Sequence, residues 1–287
     1  MLGRHVTRAV DAQERWSKPL GDFNRRWISA LFRPVQPIKD FLNGRWLGHP
    51  VHAVVTDVPI GALTVSIVAD LIGQPLVADV SMLLGVLGMV AAAVSGAADY
   101  ADVDGKAGNR ATVHSILMVG ALVVYAISLG IRAGDPTGRA LPIGLAIVGY
   151  LILTVGGDIG GDLVYLAGTN VNRHAWRGAG TKWIPIDLGG QPDIPQGGPT
   201  KLRAGINELV VIRDGDRILA LHAQCAHAGG PLPEGTLAGE RIECPWHGSR
   251  FEMSTGHVVR GPSMYDQPAY EVRRAEAGGW ETRRKVG

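Results

Sequence analysis

The sequence predicts two dissimilar halves, an all-α bundle of four transmembrane helices followed by an all-β domain. Three observations carry this reading. Four apolar runs fill the middle of the 287-residue chain, each near the ~20 residues that cross a bilayer as a helix. From Lys182 onward, short alternating runs separated by Gly- and Asp-containing turns replace them. The only two cysteines, Cys225 and Cys244, both fall in this second half. A chain of this length holds two domains, and a net charge of +2 sets nucleic acid aside as the main partner.

Residues 1–45 form a basic amphipathic segment in which Trp16, Phe23, Trp27, Ile28, Leu31 and Phe32 interleave with charges. It has no short apolar run followed by a small-residue cleavage site, so no cleaved signal peptide is expected. It reads either as a helix lying on the anionic inner leaflet or as a solvated helix. The membrane domain, 46–165, holds spans at about 51–72, 75–98, 111–131 and 140–159, joined by short polar turns such as Gly134-Asp135-Pro136. Gly88, Ala92 and Gly96 recur every fourth residue, as do Gly157 and Gly161, a spacing that lets membrane helices approach closely. Asp70 reads as a lone interfacial residue.

Lys and Arg resist translocation, so their placement orients the bundle. On the N-terminal side lie Arg4, Arg8, Arg15, Lys18, Arg25, Arg26, Arg33, Lys39, Arg45, Lys106, Arg110, Arg173, Arg177 and Lys182; the opposite side has Arg132 and Arg139. The N-terminal side is therefore expected in the cytoplasm. Four spans return the chain there, through a linker at 166–181, before the β domain at 182–287 begins. Both termini are expected on the cytoplasmic face of a bacterial inner membrane.

Runs such as Glu208 to Arg213 and Arg217 to Leu221, joined by Asp214-Gly215-Asp216, read as strands and a tight turn. Among them stand Cys225-Ala226-His227 and Cys244-Pro245-Trp246-His247, a C-x-H-x16-C-x2-H pattern with Gly229 and Gly248 close behind each half. Two thiolates and two imidazoles suit one tetrahedral zinc ion. Zinc fingers, however, usually pair Cys with Cys and His with His, whereas here each loop supplies one of each. That distribution also suits a dinuclear iron centre whose irons divide the sulfur pair from the nitrogen pair.

The motif C-A-H-x16-C-P-W-H-G-S-x-F, followed by Gly261-Pro262 and Pro268, resembles the Rieske [2Fe–2S] family over about Lys182 to Arg284. The resemblance implies that Cys225 and Cys244 hold one iron and His227 and His247 the other. It further implies that Gly261 and Pro262 shield the cluster and that Ser249 hydrogen-bonds toward it. In the cytochrome bc-type subgroup an extra Cys in each loop forms a disulfide; Gly230 and Trp246 stand at those positions here. Phe251 stands where high-potential relatives carry a Tyr hydroxyl, which implies a low potential. The sequence is more similar to Rieske ferredoxins and to the Rieske domains of oxygenases, but only a short tail follows residue 270, so a complete oxygenase is not expected. His222 and His257 fall outside the ligand positions and read as polar residues of a half-buried strand or loop.

The span region resembles a family of uncharacterised four-helix bacterial membrane domains found beside redox modules. The marks are His49-Pro50-Val51-His52, Asp57-Val58-Pro59-Ile60-Gly61, Ser95-Gly96-Ala97-Ala98-Asp99-Tyr100 and Gly160-Gly161-Asp162. His49, His52, Asp57, Asp99, His114, Asp158 and Asp162 are expected at one membrane depth, where polar residues tend to mark a site. The alternatives there are a hydrogen-bond network closing the bundle, a haem b between His52 and His114, another metal, or a quinone pocket. The chain as a whole reads as a one-electron carrier rather than a stand-alone enzyme. Its expected partners are the lipid bilayer, a cytoplasmic donor or reductase and a membrane acceptor. A redox sensor, or an oxidoreductase with a second cofactor in the bundle, are the rival readings.

Overall fold

The computed structural model describes residues 2–135, 137–176, 180 and 182–285. Pro136, Arg177, much of the linker's end and Gly287 lie outside the described residues, as does the Arg4 side chain. The chain divides into a helical unit of residues 1–44 and 49–169 and a β unit of residues 45–48 and 170–287.

The helical unit opens with α1 (Leu2–Asp11), α2 (Glu14–Phe32) and α3 (Gln36–Leu42). The first span is broken into α4 (Val51–Val55) and α5 (Asp57–Leu71). Pro59 explains the break: it has no N–H to donate, and its ring crowds the carbonyl four residues back, at Val55. Then follow α6 (Pro75–Tyr100), α7 (Gly105–Gly134) and α8 (Ala140–Tyr165). Among the described residues four helices are long and apolar enough to cross a membrane, at Val51–Leu71, Pro75–Tyr100, Gly105–Gly134 and Ala140–Tyr165. The third starts at Gly105 rather than near Ala111, and the fourth runs to Tyr165 rather than Ile159, because helical hydrogen bonding continues past the apolar run into the polar flank.

These helices form two hairpins built on one plan, which apolar periodicity alone does not reveal. Ser66 Oγ donates to the Ala78 carbonyl at 2.8 Å in the first hairpin, and Ser128 Oγ to the Pro142 carbonyl at 2.7 Å in the second. Leu63 packs over Gly85, and Tyr125 packs over Gly149. His52 Nδ1 bonds to the Ala92 carbonyl at 2.9 Å beside Gly96, and His114 Nδ1 to the Gly156 carbonyl at 2.8 Å beside Gly160. On α8 the close approaches therefore fall at Gly149, Gly156 and Gly160; Gly157 faces open space and Gly161 meets only Tyr165 of its own helix. A four-residue repeat read without the helix face points to the wrong stripe.

Around the bundle the order is α5, α6, α7, α8, so α4/α5 and α7 oppose each other on a diagonal. One end is crossed by the N-terminal helices. Arg110 donates to both carboxylate oxygens of Asp11 at 2.8 and 2.9 Å, and buried Lys39 bonds to both oxygens of Asp102 at 2.6 Å. The N-terminal segment is thus packed on the bundle rather than simply solvated. Its outer face carries exposed Phe23, Trp27, Leu31, Ile38 and Phe41. At the other end Asp70 is not alone: Arg132 meets it at 2.6 Å and Arg139 at 2.7 Å, and both arginines also reach Asp79. A charge at this depth needs such partners.

The β unit contains β1 (Ile184–Pro185), β2 (Gly197–Ala204), β3 (Asn207–Asp214), β4 (Arg217–His222), β5 (Thr236–Ala238), β6 (Arg241–Glu243), β7 (Arg250–Glu252), β8 (Val258–Arg260), β9 (Ala269–Arg274) and β10 (Trp280–Arg284). They form an antiparallel sheet in the order β1-β10-β9-β4-β3-β2 and a smaller antiparallel sheet β5-β6-β7-β8. Val210, Ile212, Leu221, Ile242, Phe251 and Met253 share one core with Cys225 and Cys244. Leu209, Val211, Ala220, Tyr270 and Trp280 form a second core on the opposite face of the larger sheet. β3 is therefore covered on both sides, which is why Leu209-Val210-Val211-Ile212 reads as a continuous apolar run. The helical-then-β fold class expected from the sequence holds.

Candidate metal centre

Cys225 and His227 stand on the connection between β4 and β5, and Cys244 and His247 on the turn between β6 and β7. The two loops are closed alike. Cys225 N–H donates to the Gly230 carbonyl at 2.8 Å and Gly229 N–H returns to the Cys225 carbonyl at 2.9 Å. Cys244 N–H donates to the Ser249 carbonyl at 2.8 Å and Gly248 N–H to the Cys244 carbonyl at 3.1 Å. Both turns pass through φ near +80°, at Gly229 (84°) and Gly248 (75°), where a side chain would be strained.

The four candidate ligands arrive as two like pairs. Cys225 and Cys244 are buried and hydrogen-bonded to each other through sulfur. The rings of His227 and His247 lie 4.9 Å apart at 83°. The shared proton pushes the Cys225 thiol well up, reinforced by burial, and holds the Cys244 sulfur down to about 7. Backbone N–H groups also aim at the sulfurs, from His227 and Ala228 toward Cys225 and from Trp246 and His247 toward Cys244. Such donors stabilise thiolates and the negative charge of a metal–sulfur centre. A sulfur pair beside an imidazole pair fits two metal ions with different donors better than one tetrahedral ion.

Three surrounding features set the loops in place. A Cβ on Gly230 would lie 2.7 Å from Cys244 Sγ and 3.2 Å from the Trp246 ring, so this position has room for hydrogen alone. Ser249 is fully buried, and its Oγ accepts the Ser263 N–H at 2.9 Å, tying the ligand turn to the segment containing Gly261 and Pro262. Phe251 is fully buried in the same core as both cysteines.

A polar network behind the first loop escaped the sequence reading. Gln267 accepts the Ala226 N–H at 2.9 Å and donates to the His222 carbonyl at 2.7 Å. His174 bonds to the Gln224 carbonyl at 2.9 Å, and its ring lies 4.6 Å from that of His222. His222 is thus fully buried rather than half-buried, whereas His257 is exposed and paired with Asp266 at 2.8 Å. The residues of this network are far apart in sequence, and a Gln before a Pro was the only local signal.

In the helical unit, the seven polar residues expected at one depth do not form one cluster. The rings of His52 and His114 come within 6.5 Å across the diagonal. His49, Asp57 and Asp158 are exposed, Asp162 accepts the Thr7 hydroxyl, and Asp99 is buried with one carboxylate oxygen lacking a hydrogen bond.

Comparison with known proteins agrees with both halves. Residues 183–271 match the Rieske [2Fe-2S] domain, and residues 48–173 match a predicted membrane protein family, DUF2231. Ferredoxin CarAc of Metapseudomonas resinovorans is 39% identical over 74 residues, 26% of this chain and 69% of that protein. The ferredoxin component of the naphthalene 1,2-dioxygenase/salicylate 5-hydroxylase systems of Ralstonia sp is 31% identical over 31% of this chain and 85% of that protein. Apoptosis-inducing factor 3 of mouse and human is 31% identical over 28% of this chain, which spans only 13% of that protein's length. Among solved structures, the ferredoxin of carbazole 1,9a-dioxygenase from Nocardioides aromaticivorans IC177 is 31% identical, with a TM-score of 0.28 over 33% of this chain and 89% of that one. With its Cys2His2 loops on a two-sheet β unit, the chain belongs to the Rieske [2Fe-2S] family, carrying that domain behind a membrane domain of four apolar helices.

Proposed function

We propose that the chain is a membrane-anchored one-electron carrier in which Cys225 and Cys244 hold one iron of the cluster and His227 and His247 the other. The observation that carries this is the pairing: sulfur beside sulfur, imidazole 4.9 Å from imidazole, on loops closed by matching backbone bonds. The cluster supplies a centre that takes up and releases one electron. The chain supplies the rest. Backbone N–H groups offset the added negative charge, the core that holds both cysteines excludes water from the sulfurs, and half-buried His247, beside the 56% exposed Trp246, is the ligand a redox partner would reach, since His227 is buried.

The excess of Lys and Arg on the N-terminal side supports a cytoplasmic β domain on a bacterial inner membrane. Exposed aromatic residues on α2 and α3 support contact with the inner leaflet. Relatives described as ferredoxin components of dioxygenase systems support a cytoplasmic donor or reductase on one side of the exchange, with a membrane acceptor on the other. The test is EPR of the dithionite-reduced protein. A Rieske-type signal present in the wild type and absent in His247→Ala is the expected result; stoichiometric zinc without iron or acid-labile sulfide in anaerobically prepared protein would overturn the assignment.

A further inference from the structure

We infer that His52 and His114 are the two axial ligands of one b-type haem held inside the helical bundle. The inference is independent of the iron–sulfur site and rests on how the duplicated hairpins present these two residues.

Each histidine occupies the same place in its hairpin, bonded through Nδ1 to a main-chain carbonyl on the next helix and lying against a glycine of that helix. A carbonyl can only accept, so the proton of each ring sits on Nδ1. The lone pair is then on Nε2, and among the described residues neither Nε2 has a protein hydrogen-bond partner. Orienting an imidazole through an Nδ1–H to carbonyl bond is how proteins prepare it as a metal ligand.

This tautomer separates the competing occupants. Two lone pairs cannot bond to each other, so the pair is not a closed hydrogen-bond network. Nor can they donate to the carbonyl oxygens of a quinone. They can share a metal ion. Two imidazoles on opposite sides of one ion, with metal–nitrogen bonds of about 2 Å, place their ring centres roughly 6 Å apart. The observed separation is 6.5 Å, with the ring planes at 86°.

The surroundings then select the form of the metal. Among the described residues of the helical unit no three His, Cys, Asp or Glu side chains converge on one point, so a bare divalent ion would bring its charge into an apolar bundle with two neutral ligands. A porphyrin supplies four more nitrogen ligands and two negative charges of its own. It asks the protein for two axial imidazoles from facing helices, which is what this diagonal offers. Glycine on the neighbouring helix is part of the arrangement: a Cβ at Gly96 would stand 2.9 Å from both Cε1 and Nδ1 of His52, and one at Gly160 3.1 Å from Cε1 of His114.

The test uses the full-length protein purified in detergent from haem-replete cells, with the pyridine haemochrome assay, metal analysis and a reduced-minus-oxidised spectrum. The wild type is expected to hold about one haem per chain with a low-spin spectrum. His52→Ala and His114→Ala should each lose it while the Rieske EPR signal stays. His52→Met guards against misfolding, because a thioether can also ligate haem iron: it should retain haem with a changed spectrum and a raised potential. Wild-type protein without haem, or with stoichiometric copper or zinc in its place, would overturn the inference, as would haem retained unchanged in both alanine variants.

Discussion

At the scale of single residues, the candidate metal centre is legible because the residues that compose it are local in sequence. The four proposed ligands lie within two short loops, and the glycines that let those loops turn stand beside them in sequence. Gly230 and Trp246, read as the positions lacking a disulfide, do lie against each other, and the space at Gly230 is filled by the Cys244 sulfur. Gln267 and His174 were not readable, since residues 41 positions beyond Ala226 and 50 before Gln224 bring no spacing rule with them. Phe251 carries a prediction at this scale. It is fully buried with both cysteines, and a hydroxyl on its ring could donate toward a ligand sulfur and stabilise the reduced, more negative state. Phe251→Tyr should raise the reduction potential, which protein-film voltammetry would measure. An unchanged or lower value would show that the hydroxyl does not reach.

Among the elements, the strands of the β unit are held at their ends by a charge network rather than by the core alone. The Asp193 carboxylate accepts the Trp280 indole N–H from β10, Arg213 from β3 at 2.7 Å and Arg274 from β9 at 2.9 Å. The Trp280 bond first, then Arg213, holds its carboxyl well below the usual carboxylate range. Because the folded-state value is the lower one, its contribution is fully present above an ordinary carboxylate value of about 4 and is lost as pH falls below that. Asp193→Asn should therefore narrow the gap in thermal midpoint between pH 7 and pH 3 relative to the wild type. Parallel pH profiles for the two proteins would argue that the network contributes nothing at this site. Strand identity was legible from alternation at the edges, but the double burial of β3 was not, because a run apolar on both faces does not say which sheet covers each.

For the whole molecule, the number of helices followed from hydropathy, while their pairing did not. Hydropathy has no term for a serine reaching a carbonyl on the next helix or for two acids meeting two arginines. The Arg132–Asp70 pair has only 1% of either side chain exposed. Removing one partner of such a pair costs about 3–5 kcal/mol, whereas replacing both is far milder. Asp70→Asn should lower the thermal midpoint in detergent markedly, and Asp70→Asn with Arg132→Met should recover part of the loss; equal loss in the single and double variants would mean the pair is not the unit that matters. Orientation is tested separately. A reporter fused after Gly287 should behave as cytoplasmic, and periplasmic activity there would reverse the topology.

Asp70 and Arg132 occupy matching places in the two hairpins, as do the serines one turn before each. The copies carry opposite charge at the end away from the histidines: the first contributes Asp70 and Asp79, the second Arg132 and Arg139. Two first hairpins brought together would confront four carboxylates, and two second hairpins four guanidinium groups, each without its countercharge. The repeats are consequently like plug and socket rather than like two identical tiles. At this end each half carries the countercharges the other needs, so exchanging one hairpin for a second copy of the other would leave like charges facing each other.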